Sequence, residues 1–124
     1  PSNKDHLLKN LDRKIPICAD ESCHDVKSLE KLMGLYDYIN IKLDKTGGLT
    51  EAINLLQAAK KSGFKIMLGC MVGTSLAMAP ALLLSGECDI VDLDGPLLLK
   101  KDRPNPIRYD DFLAFPISEG LWGV

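Results

Sequence analysis

The chain has 124 residues and a mass of 13.6 kDa, the length of one domain or of a piece of a larger one. Its 46% hydrophobic and 26% charged residues describe a core to bury and exclude a disordered tail or a collagen-like repeat. Fifteen basic and 17 acidic residues give a net charge of −2 with no basic stripe, which argues against nucleic acid as a partner.

In chain order, a weak helical stretch over residues 4–11 precedes a first apolar run, residues 15–19, which reads as a strand. Val26, Leu29, Leu32 and Met33 recur at helical spacing, and residues 38–43 form the second strand. Ala52, Ile53, Leu56 and Ala59 mark the next helix, with Thr50 expected to cap it and Gly63 to end it. Residues 65–69 are the third strand. A helix over 75–85, closed by Gly86 and with Pro80 near its first turns, leads to a fourth strand at 89–93. Strands starting near 15, 38, 65 and 89 are spaced by about 23, 27 and 24 residues, the rhythm of right-handed βα units in a parallel sheet. The fold class is α/β. Four units in this length make half of a (β/α)₈ barrel of about 250 residues, and an open doubly wound sheet is the competing geometry.

No charged segment followed by an apolar stretch opens the sequence as a signal peptide would. The longest apolar run, Leu76 to Leu84, holds nine residues including Pro80, well short of the ~20 needed to span a membrane. Cys18, Cys23, Cys70 and Cys88 show no CxxC or other short pairing, so neither a zinc site nor a disulfide scaffold is indicated, and reduced thiols in the cytoplasm are expected.

Parallel sheets collect their chemistry at the carboxyl ends of their strands. Strand one ends in Ala19-Asp20-Glu21-Ser22, and strand two carries Lys42 and runs into Asp44-Lys45-Thr46-Gly47-Gly48. Strand three ends in Gly69-Cys70-Met71, and strand four in Asp92-Leu93-Asp94-Gly95-Pro96. Charges directly after buried strands need partners or a metal. Asp20 and Glu21 are adjacent, so their side chains diverge and only one can enter a barrel mouth as a hard-cation ligand. A capping or ion-pairing role for Asp20 is the plainer alternative. Lys42 must pair with a carboxylate or be tuned for base work, and both readings stand at this point. Gly47-Gly48 reads as a tight strand-to-helix turn rather than a phosphate cradle, because no nucleotide fingerprint surrounds it. His6 and His24 have no ligand spacing, and Met67, Met71, Met78 and Trp122 read as packing residues.

The motif Ile39-Asn40-Ile41-Lys42-Leu43-Asp44-Lys45-Thr46-Gly47-Gly48, about twenty residues after Ala19-Asp20-Glu21-Ser22, closely resembles the second half of the barrel in enolase-superfamily enzymes of the muconate-lactonising subgroup. Gly69-Cys70-Met71-Val72-Gly73-Thr74-Ser75 and Asp92-Leu93-Asp94-Gly95-Pro96-Leu97 narrow the resemblance to the dipeptide epimerases. It spans essentially the whole chain, which is then expected to be one partial barrel domain over residues 1–124.

The resemblance implies that Asp20 is a ligand of Mg²⁺ with Glu21 in its neighbourhood, and that Lys42 is an acid or base on one face of the substrate's α-carbon. It implies that Asp92 and Asp94 bind the free α-ammonium group of a dipeptide, with Cys70 and Met71 near the substrate. The implied reaction is a 1,1-proton transfer at the α-carbon of the dipeptide's carboxy-terminal residue, for which Mg²⁺ on the carboxylate stabilises an enolate-like intermediate. The family's capping domain, its opposing lysine and two further metal ligands have no counterpart here, and Pro1 resembles the proline of the motif that carries the second ligand. The chain alone is therefore expected to bind Mg²⁺ poorly and to be inactive. Its expected partners are the dipeptide and either the missing half of the barrel or a second copy, with no nucleic acid or membrane. A muconate cycloisomerase or o-succinylbenzoate synthase is the alternative within the superfamily, against which Asp92-x-Asp94 argues. A non-catalytic half-barrel module that assembles through its open edges is the alternative outside enzymology.

Overall fold

The computed structural model describes residues 2–123; Pro1, with the motif resemblance placed on it, lies outside the described residues. A 3₁₀ helix over Ser2–Asn10 leads to β1 (Cys18–Ala19). A capped 3₁₀ turn (Val26–Ser28) and α1 (Leu29–Leu32) return the chain to β2 (Tyr38–Ile41). Then come α2 (Leu43–Thr46), α3 (Leu49–Lys61), β3 (Lys65–Leu68), α4 (Ser75–Leu82) and β4 (Ile90–Val91). The tail carries a hairpin of β5 (Tyr109–Asp110) and β6 (Leu113–Ala114), followed by α5 (Glu119–Trp122). The first four strands form one parallel sheet in the order β1-β2-β3-β4, as the strand rhythm requires.

Register sorts the sheet's two faces. Ile39 pairs with Ile66 and Ile41 with Leu68, and all four are fully buried. They belong to the same core as Ala52, Leu55, Leu56 and Ala59, the apolar stripe of α3. Asn40 pairs with Met67 on the opposite face, the one that lines a barrel interior, and Lys42 continues that face two residues on.

Several elements depart from expectation for local reasons. β1 is shorter than 15–19: Pro16 has no N–H to donate, and the Ile17 N–H bonds to the Asp37 carboxylate at 2.8 Å instead of a ladder carbonyl. Gly48, rather than Thr50, stands at the α3 amino terminus. The turn before it needs backbone with φ of 82° at Gly47 and 133° at Gly48, which leaves Thr50 inside the first turn. Pro80 is the sixth residue of α4, beyond its first turn, and the helix stops at Leu82, where the Ser85 hydroxyl donates to the Leu82 carbonyl at 2.7 Å. Both β4 residues are exposed, because β4 is the last strand of the hydrogen-bonded order among the described residues. The hairpin was not expected from the sequence; Asp111, at φ 51°, makes its turn.

The tail is tied to the barrel units by a fully buried hydroxyl. Ser75 donates to the Asp102 carboxylate, accepts the Ile107 N–H at 2.9 Å, and presents its own N–H to Asp102 at 3.1 Å. Ser75→Ala strands the buried Ile107 N–H and leaves the Asp102 carboxylate only its backbone donors from Ser75 and Arg103, so it should cost about 1–3 kcal/mol. Lys60→Ala, which breaks only the exposed Lys60–Glu87 pair, should leave the unfolding midpoint unchanged. Thermal denaturation of the two variants of the full-length polypeptide, side by side, checks this contrast.

Candidate active site

The chain reverses or bends directly after each parallel strand, so the polar residues there share one rim. Asp20 follows β1 and Lys42 follows β2 in an extended conformation (φ −127°, ψ 128°) that aims it along the interior face. The Lys42 ammonium donates to Asp20 Oδ2 at 2.9 Å. Lys45 reaches the same carboxylate, donating to Oδ1 at 2.7 Å, to the Asp20 carbonyl at 2.6 Å and to the Asn40 carbonyl at 3.0 Å. An ammonium has three donors, so Lys45 is fully committed while Lys42 uses one. The Lys45 side chain is 7% exposed, Lys42 13% and Asp20 31%.

These contacts set the electrostatics. Burial on its own would raise the Asp20 carboxyl, but the hydrogen bonds from Lys45 and Lys42 outweigh it and hold the group below its ordinary range. The hydrogen bond to Asp20 holds the Lys42 ammonium above its ordinary value against the opposing effect of burial. An ionised carboxylate has about four lone-pair sites, and the lysines occupy one on each oxygen. A hard cation can therefore share Asp20 with them. Among the described residues no group of three or more His, Cys, Asp or Glu side chains converges, so Asp20 stands without a cluster of further acidic ligands around it.

The other candidates divide into two groups. Glu21 diverges from Asp20, is exposed, and lines a depression with His6 and His24. Cys70 follows β3 between the lysine and the paired carboxylates: burial raises its thiol, the Gly95 N–H opposes this, and Asp94, Asp92 and Lys42 all act on it. Asp92 and Asp94 are exposed on either side of buried Leu93, whose carbonyl accepts the Tyr109 hydroxyl at 2.7 Å. Met71 is 47% exposed, so the packing role expected for it is corrected to a rim position. Trp122 is likewise half-exposed, beside Leu82 and Phe115. Thiolate nucleophiles are disfavoured at Cys18, Cys23 and Cys88, because burial pushes each thiol up to about 11.

Gly95 holds the third and fourth strand ends together. A Cβ there would stand 2.6 Å from the Met71 carbonyl oxygen and 3.2 Å from the Cys70 sulfur. Because the first of these is backbone, Gly95→Ala should force the two loops apart, costing about 1–3 kcal/mol. It should also displace Asp94, an effect that crystallography of the variant would show directly.

Lys45 carries no role that its sequence neighbourhood declares. Its signal was positional: two residues past Leu43, it returns to the strand ends only because Leu43–Thr46 is one turn of helix rather than extended chain.

A family model described as Enolase C-terminal domain-like matches residues 1–117. An N-acetyl-D-glutamate racemase from Pseudoalteromonas is 55% identical over 123 residues, covering 99% of this chain and 39% of the racemase. The L-Ala-D/L-Glu epimerase of Escherichia coli is 51% identical over 109 residues, 88% of this chain and 34% of the epimerase. A solved enolase family member from Agrobacterium tumefaciens, with homology to dipeptide epimerases and with sodium and L-Ala-L-Glu bound, superposes with a TM-score of 0.95 at 50% identity. It covers 99% of this chain and 38% of that one. The chain thus spans between a third and two-fifths of the length of these relatives.

Proposed function

We propose, from the premise that this chain belongs to the enolase C-terminal domain-like family, that the full-length polypeptide containing it moves a proton at the α-carbon of an N-acylated amino acid. A dipeptide such as L-Ala-L-Glu is the leading substrate and epimerisation of its carboxy-terminal residue the reaction. The single observation that carries this reading is Lys42 at the end of β2, inside the barrel face and 2.9 Å from Asp20 at the end of β1. Residues 1–124 act as one partial barrel domain within that polypeptide.

Lys42 is the acid or base on one face of the substrate. Its uncommitted donors can reach a reacting atom, whereas the three bonds of Lys45 leave it no proton to move. Bonded to Asp20 it is held protonated, the form that delivers a proton, and acting as base requires that contact to loosen. Inversion needs a second base on the opposite face, supplied from outside this chain. Asp20 would hold Mg²⁺ through its carboxylate, with Glu21 nearby. When bound, Mg²⁺ supplies positive charge against the substrate carboxylate. Asp92 and Asp94 receive the dipeptide's ammonium group, and Cys70 and Met71 border the substrate.

A second reading is favoured by the 55% identity to an N-acetyl-D-glutamate racemase, whose substrate has no free ammonium group. The two readings share the α-proton chemistry and part at Asp92 and Asp94. Asp94→Asn should raise KM for L-Ala-L-Glu by one to two decades, the equivalent of about 1.5–3 kcal/mol for a charge-assisted bond. It should leave N-acetylglutamate turnover unchanged. Chiral chromatography of each product mixture is the assay, and an equal loss on both substrates would remove the ammonium-binding role. Among the described residues no helix is long and apolar enough to cross a membrane. The four unpaired cysteines support a cytoplasmic setting.

A further inference from the structure

We propose that Lys45 is the positioning residue of the metal site: it fixes Asp20 so that Oδ2 is the oxygen presented to the cation and to Lys42. The inference rests on the reading of Asp20 as a metal ligand and adds a role for a side chain which that reading leaves unused. Lys45 joins three oxygens from two strands, namely Asp20 Oδ1, the Asp20 carbonyl just past β1, and the Asn40 carbonyl within β2. An ammonium bonded to both the carbonyl and the carboxylate of one residue sets that residue's side-chain torsions as well as its distance from the neighbouring strand. Each oxygen carries one lysine donor, but the donor on Oδ1 is anchored by three bonds and the one on Oδ2 by a single bond, so Oδ2 carries the exchangeable contact.

The alternative is that Lys45 competes with the cation for Asp20. The geometry opposes it: two of the three Lys45 bonds go to backbone carbonyls, and its side chain is 7% exposed, so it stays in place whether or not the carboxylate is shared. Gly69 reinforces the arrangement from the β3 side. A Cβ there would stand 2.5 Å from Asn40 Oδ1, so glycine at this position leaves room for the side chain of the residue whose carbonyl Lys45 holds.

The test is Mn²⁺ binding, with no substrate present, to the full-length polypeptide and its variants, followed by electron paramagnetic resonance of free and bound metal. Lys45→Met should weaken Mn²⁺ by about 10–100-fold, the cost of removing a group that orients a ligand, and should broaden the bound-metal signal. Lys45→Gln retains neutral donors for the carbonyls and covers the case in which the Met variant does not fold; it should weaken Mn²⁺ by at least tenfold. Lys45→Arg, with charged donors to the carboxylate, should recover most of the affinity. Wild-type or tighter Mn²⁺ binding by Lys45→Met or Lys45→Gln would overturn the proposal and make Lys45 a competitor. Asp20→Asn is the control that separates the two levels. If it leaves Mn²⁺ affinity intact, the metal-ligand reading itself fails, whereas weakened binding there with intact binding at Lys45→Gln sinks the positioning role alone.

Discussion

Lys42→Ala, introduced into the full-length polypeptide, is expected to slow interconversion of the two α-epimers by about 10²–10⁴-fold, the usual contribution of a general acid or base. The fold should survive, because Asp20 keeps its bonds to Lys45 when Lys42 is gone. The loss should be asymmetric. The epimer whose α-hydrogen points at Lys42 should stop exchanging with solvent, while the other should still exchange slowly without inverting, since its hydrogen faces the second base that inversion requires. Lys42→Arg should not rescue the activity, because a guanidinium stays protonated throughout the working pH range. Equal, near wild-type exchange of both epimers would remove Lys42 from the reaction.

Asp20→Asn should produce the second large effect, on two quantities at once. It leaves Lys42 and Lys45, 13% and 7% exposed, without their shared counter-charge. Stranding a fully buried charge costs about 3–5 kcal/mol. The carboxylate is 31% exposed, so water relieves part of this and a loss on the order of 2–3 kcal/mol is expected. The sign of its pH dependence follows from the direction of the shift. Asp20 is depressed in the folded state, so the stabilisation is complete above its unfolded value near 4 and disappears as pH falls through the folded one. Denaturation curves of wild type and Asp20→Asn should therefore differ most at neutral pH and converge in acid. A gap that widened on acidification would contradict the pairing. Magnesium binding should fall with the same substitution.

The rim was legible in the sequence because each polar residue follows an apolar run directly: Ala19 then Asp20, Ile41 then Lys42, Leu68 then Gly69-Cys70. A buried strand fixes where the next side chain emerges, and period-two alternation fixes the face. Lys45 was not legible in this way. Its place depends on the single turn of helix over Leu43–Thr46, and four residues are too few for helical periodicity to declare itself. The Ser75–Asp102 tie was invisible for a different reason, since 27 residues of chain separate two side chains whose types are ordinary for a cap and a loop. The exposure of Ile90 and Val91 could not be read either. Two β-branched residues in a strand predict burial, and only the sheet order shows that β4 is an edge strand among the described residues.

Proton transfer at the α-carbon is tested most directly by proton nuclear magnetic resonance of L-Ala-L-Glu in D₂O with the full-length polypeptide and Mg²⁺, following the glutamyl α-proton. This signal should disappear as deuterium enters and resonances of the L-Ala-D-Glu epimer should grow in, with both changes slowed by Lys42→Ala. Persistence of the α-proton signal with the dipeptide, and likewise with N-acetylglutamate, would contradict that transfer.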